Sequence, residues 1–224
     1  MIKDPRELAD KAVNVAVAIE IGLKIPEIKG FDRGTPVLAE VGGHKITYYA
    51  MWKDGMWLLP CAGFRRERLL AGDVGPIMQS SMTTVFSLNF GKFPIKEQFK
   101  KLGKILKKAK YERNEFFGIA VSLVHGELYY DEIICGPDHL TLACISELQC
   151  GEALAKGFVA GLSVFNRSLH EDSIVVCKGD TIKGAWADVY AAPIPDKMIY
   201  RTDGGRAECW MYAQLKDIAR DDTV

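Results

Sequence analysis

Residues 35–64 constrain the chain most, because side chains there alternate with period two between glycine-bearing turns. Three strands are expected, at 36–41, 44–52 and 56–64, divided by Gly42-Gly43 and by Lys53-Asp54-Gly55. Asp-Gly tolerates the left-handed backbone of a tight hairpin. The reading is a three-stranded antiparallel meander over 35–64. Alternation sends Tyr48 and Tyr49 to opposite faces, one packing the core and the other lining a pocket, binding a subunit or meeting covering helices.

Helical spacing appears on both sides of this segment. Asp4, Pro5 and Glu7 form a helix start, and Leu8, Ala12, Val13, Ala16 and Ile19 continue an apolar stripe until Gly22, giving a helix over 5–22. Phe99, Leu102, Ile105, Leu106 and Ala109 define a second helix over 95–111, opposite a row of lysines. A short helix is expected at 65–71 and a strand at 82–90. Two strands follow at 116–125 and 128–135, joined at Gly126-Glu127. Asp138 then opens a helical region over 138–166, in which Ala153, Gly157 and Gly161 recur every four residues. Strands at 173–178 and 185–192 surround Gly179-Asp180, and 207–220 closes the chain as a helix or as a strand passing into one. Hairpin-joined strands mixed with helices predict an α+β fold, one domain over 1–224, with a largely antiparallel twisted sheet packed against helices.

Charge excludes some functions. The 224 residues carry 29 basic and 29 acidic side chains, so no overall polycation is present. The distribution is uneven, with nets of +1 over 1–90, +7 over 91–113 and −8 over 114–224. The Lys100, Lys101, Lys104, Lys107 and Lys108 stripe suits a solvated helix face or a polyanion. It has no interleaved aromatics for stacking on bases, so nucleic acid is not the expected partner. No apolar run reaches membrane-spanning length, and the start of the chain lacks a secretory pattern, so a cytoplasmic location is expected. The strongly apolar first helix and the small-residue stripe favour a homodimer or larger homo-oligomer.

No G-x-S-x-G, H-E-x-x-H, Walker A or G-x-G-x-x-G motif occurs, and there is no C-x-x-C pair. The expected function is therefore chemically coarse: an enzyme or binding protein for a small anionic organic molecule, with the cofactor unassigned. Cys135, Asp138 and His139 are the candidate catalytic group. They lie where a strand enters a helix, and a helix N-terminus lowers a thiol pKa while His supplies a base. Arg201, Gly204, Gly205 and Arg206 are a candidate anion clamp of backbone N–H groups flanked by guanidiniums, and Arg65 and Arg66 are a second. Two alternatives remain. One is an oligomeric module that docks a polyanion on the lysine stripe. The other is a metal or iron–sulfur protein using Cys135, Cys144 and Cys150, although the usual close ligand spacings are absent.

Overall fold

Left-handed backbone sets the tightest hairpins. Asp54 (φ 51°) and Gly55 (φ 75°) form one two-residue turn, His125 (φ 50°) and Gly126 (φ 83°) another, and Arg33 (φ 47°) and Gly34 (φ 85°) a third. The computed structural model describes residues 4–42, 44–70, 74–88, 94–150, 153–154, 156–166, 171–194 and 198–221. In chain order, a 3-10 turn (Pro5–Ala9) precedes α1 (Lys11–Ile21), β1 (Ile28–Asp32), β2 (Thr35–Leu38), β3 (His44–Lys53), β4 (Met56–Leu70) and β5 (Val74–Ser87). Then come α2 (Lys96–Lys108), β6 (Glu115–Val124), β7 (Glu127–Cys135), α3 (His139–Leu148), β8 (Gln149–Cys150) and β9 (Ala153–Leu154). β10 (Phe158–Asn166), β11 (Glu171–Gly179), α4 (Ile182–Ala191), β12 (Met198–Ile199) and α5 (Arg206–Asp221) complete it. Among the described residues, every ladder between these strands is antiparallel, so the α+β expectation holds. Among the described residues, no helix is long and apolar enough to cross a membrane.

The chain divides into two units, Met1–Pro60 with Leu88–Pro137, and Cys61–Ser87 with Asp138–Val224. In the first, β3 pairs with β6 from His44↔Leu123 to Trp52↔Glu115, and β6 pairs with β7. The β3–β4 hairpin turns where the Asp-Gly pair predicted. The first strand of the expected meander does not join it. β2 instead pairs with β1 as a separate hairpin through Arg33-Gly34, because 28–32 supplies a nearer partner than β3. Tyr48 and Tyr49 are each only 1% exposed. At these two positions β3 is therefore covered on both faces, so the second face meets covering elements rather than solvent.

α2 shows why its glycine stands in mid-helix. Phe99, Leu102 and Leu106 are fully buried, each contributing roughly 1.5–3 kcal/mol. A Cβ on Gly103 would lie 2.8 Å from Trp57 Nε1 and 3.0 Å from the Trp52 ring. Trp57 also donates to the Phe99 carbonyl at 2.6 Å. Glycine thus lets the helix sit directly on two indoles. The N-terminal helix is split where one helix over 5–22 was expected. Asp10 adopts an extended conformation and caps α1 by accepting from Ala12 N and Val13 N, which ends the preceding 3-10 turn.

In the second unit the ladder runs β4–β5–β10–β11. Three predicted assignments are corrected here. Residues 65–70 continue β4 rather than forming a helix, because Arg65 and Arg66 alternate across a sheet covered on both faces. Residues 158–166 are β10 rather than helix; this strand is buried on both sides, so its sequence shows no alternation. Residues 182–191 are α4 rather than strand. Thr181 caps this helix by accepting from Gly184 N, and Ile182, Ala185, Trp186 and Val189 form its buried stripe. These four pack on Met82, Ala160, Leu162 and Val164 of one sheet face. α3 covers the other face.

Candidate functional site

Strand alternation separates the paired arginines. Arg65 lies opposite Thr83, which lies opposite Gly161, on the α3 face. Arg66 lies opposite Met82 and then Leu162, on the α4 face. The two residues expected to form one clamp therefore serve different surfaces of the second unit.

On the α3 face a continuous polar chain runs inward from the surface. Arg65 Nη2 donates to Glu67 Oε1 at 2.8 Å, and its Nη1 stands 3.7 Å from Asp138 Oδ2. Asp138 caps α3 by accepting from Thr141 N at 3.0 Å, and it also accepts the Thr141 hydroxyl at 2.8 Å. Thr141 Oγ1 lies 3.3 Å from Thr83 Oγ1, which is 2.9 Å from Ser80 Oγ. The Ser163 hydroxyl donates to the Ser80 carbonyl at 2.9 Å. Exposure falls along this chain, from 41% for the Glu67 side chain and 19% for Arg65 to 8% for Asp138 and nothing for Thr141. It orients a guanidinium at the boundary between solvent and a dry interior, where charge-assisted bonds to an oxyanion are strengthened. Sequence reading found Arg65 and Asp138 but missed the hydroxyls. Their only signal was the polar run Ser80-Ser81-Met82-Thr83-Thr84 within a strand.

The 201–206 segment is brought to the opposite face, beside Arg66 and Arg68. Arg201 is 1% exposed and forks onto Asp203 at 2.8 and 2.6 Å while donating to the Arg68 carbonyl at 3.0 Å. The backbone N–H groups expected to hold an anion are engaged internally. Gly204 N donates to the Tyr190 hydroxyl at 2.8 Å, and Gly205 N donates to Glu208 Oε2 at 2.8 Å. Arg66 Nε stands 3.6 Å from the other Glu208 oxygen. Arg206 is exposed.

Cys135 ends β7, Asp138 caps α3 and His139 is exposed in the first helical turn. The expected lowering of the Cys135 thiol is reversed. Burial, reinforced by the Glu115 carboxylate, pushes it up to about 12. Such a thiol is a poor nucleophile at neutral pH. Tyr111, which donates to Glu115, is pushed up as well, first by burial and then by that bond. Cys144 lies on the buried face of α3 and its thiol is also raised by burial. The side chain of Cys150 lies outside the described residues. Among the described residues no group of three His, Cys, Asp or Glu side chains is placed to hold a metal ion.

A pH prediction follows from Cys135. Its pKa is raised on folding, so the native state holds the proton more tightly than the unfolded chain. That stabilisation is complete below an unfolded thiol pKa of 9.0 and is lost as pH rises from there towards about 12. At pH 8, iodoacetamide should modify native Cys135 roughly a thousandfold more slowly than the urea-unfolded chain. Site-resolved mass spectrometry measures this, and equal rates would refute the buried, neutral thiol.

No family model matches the chain, and no curated protein sequence matches it. Solved structures do. Phosphoribosylamine–glycine ligase from Thermotoga maritima superposes with a TM-score of 0.61 and 15% identity, over 75% of this chain and 57% of that one. The biotin carboxylase domain of a single-chain bacterial carboxylase gives 0.54 and 9%, over 84% of this chain and 63% of that one. This chain therefore matches only 57% and 63% of the lengths of those two proteins. At these identities the likeness is one of fold: a large antiparallel sheet packed with helices.

Proposed function

We propose that this chain is the scaffold of a nucleotide-dependent, ligase-type enzyme that takes a small anionic organic substrate on the α3 face of its second unit. The observation carrying this reading is the graded polar chain from Glu67 through Arg65, Asp138 and Thr141 to Ser80. A guanidinium held at the edge of a buried hydroxyl row is suited to a carboxylate or phosphate, with Asp138 and Glu67 positioning it. The fold likeness to two ligase-type proteins supports the reaction class.

Isothermal titration with magnesium ATP and magnesium GTP tests the nucleotide part, with binding of at least one expected at millimolar concentration or tighter. Absence of both would overturn the ligase reading. Arg65→Ala should weaken the anionic ligand about tenfold, with Arg65→Lys intermediate because lysine keeps the charge but loses the planar fork. Asp138 keeps its two Thr141 bonds in that variant, so the melting temperature should change little. Unaltered affinity in Arg65→Ala would remove this residue from the site.

A further inference from the structure

A cleft of about 480 Å3 lies between α4 and the start of α5, on the sheet face opposite Arg65, and the polar chain described above does not use it. Small-molecule sites commonly enclose roughly 300–1,000 Å3. One wall is a helical stripe, Lys183, Trp186 and Tyr190; the other is Gly204, Gly205 and Arg206. The aromatic wall is fixed in place. Trp186 Nε1 donates to Thr84 Oγ1 at 2.8 Å, and the Trp186 and Tyr190 rings stand 5.5 Å apart with a 32° tilt. The Gly204 and Gly205 backbone lies directly on the indole.

Charge at this cleft is one-sided. Lys183 and Arg206 are exposed, and neither has a carboxylate partner among the described residues. The nearby acids are committed elsewhere, Glu208 to Gly205 N and Arg66, and Asp203 to Arg201. α5 also begins here, at Arg206. The Tyr190 oxygen accepts from Gly204 N, and its own proton has no acceptor among the described residues. From residue 183 to 190 the wall extends about 10 Å at the α-helical rise, the length of a bicyclic ring with one substituent.

We propose that this cleft binds a flat aromatic molecule carrying a single carboxylate or phosphate, with its ring against the half-buried Tyr190, which the buried Trp186 backs, and its anion between Lys183 and Arg206. Calorimetric titration of the full chain with 1-naphthoate, 1-naphthyl phosphate and the neutral 1-naphthalenemethanol tests this. At least one anion should bind about tenfold more tightly than the alcohol, and whichever binds better identifies the preferred anionic group. The double variant Lys183→Ala with Arg206→Ala should reduce that anion to the level of the alcohol. Ala187→Trp fills the cleft from an exposed position and should abolish binding of all three. Circular dichroism verifies that both variants fold. Arg65→Ala should leave the naphthoate isotherm unchanged, which separates this site from the α3 face. The proposal is overturned if neither anion binds, if the alcohol binds equally well, or if Ala187→Trp binds like the parent.

Discussion

Replacing Asn14 with Ala should destabilise the first unit by about 3–5 kcal/mol, one of the two largest effects expected in this chain. Asn14 is 3% exposed in an otherwise apolar helix, and its amide uses both ends. It donates to the Leu8 carbonyl at 2.7 Å and to the Ile133 carbonyl at 2.6 Å. It accepts from Ile133 N and from the Tyr130 hydroxyl, each at 2.9 Å. Ile133 sits on β7, the last strand of its ladder, so its N–H and C=O point away from β6. The side-chain amide substitutes for a further strand and closes that edge. Tyr130 N, donating to the Lys24 carbonyl at 2.8 Å, closes the same edge farther along. Alanine would leave these groups buried without partners, and their desolvation dominates the cost. Urea unfolding measures the effect. Tyr130→Phe alone should cost about 1 kcal/mol, and the double variant should cost less than the sum, because the phenol is already orphaned by the first change. A loss below about 1 kcal/mol for Asn14→Ala would refute this account of the edge.

The elements legible in the sequence are those with a periodic or stereochemical signature. Asp54-Gly55 marked its hairpin because few residue pairs adopt left-handed backbone. α2 was legible because Phe99, Leu102, Ile105 and Leu106 follow helical spacing against a lysine face. Failure came where burial removes contrast. Val159 to Val164 are all buried, so β10 has no polar side to alternate with, and its alanine and glycine suggested a helix. The opposite mistake occurred at α4, where Trp186, Val189 and Tyr190 favoured a strand although 182, 185, 186 and 189 share one helical face. The polar run of β4 hid a strand for a third reason: Arg65 and Arg66 face opposite layers, and both are polar. The candidate site was half legible. Arg65, Asp138 and the 201–206 loop carry recognisable chemistry, whereas Thr83, Thr141 and Ser80 become one network only when β4, β5 and α3 assemble.

Gly161→Val carries the second large effect, about 3 kcal/mol of destabilisation in the second unit, and it couples packing to the proposed site. Gly161 pairs with Thr83 on β5 and faces α3. A Cβ there would stand 2.4 Å from Cys144 Sγ and 2.9 Å from Leu140 Cδ1, distances that require the helix to move. The same small residue that suggested close helix packing therefore does permit a close approach, but as a strand beneath a helix. Cys144 and Leu140 are themselves buried, so neither side chain has space to turn aside. Displacing α3 shifts Asp138 away from Arg65 and Thr141 away from Thr83, so ligand affinity on this face should fall together with stability. Gly161→Ala, with one added carbon, should cost about 1–3 kcal/mol. Combining it with Cys144→Ala, which removes the sulfur that the new carbon meets, should restore part of that loss and part of the affinity. Urea unfolding and calorimetry of the three variants read the two quantities independently. If Gly161→Val proved as stable as the parent, α3 would not rest on β10 as described, and the Arg65–Asp138 geometry that depends on it would fail as well.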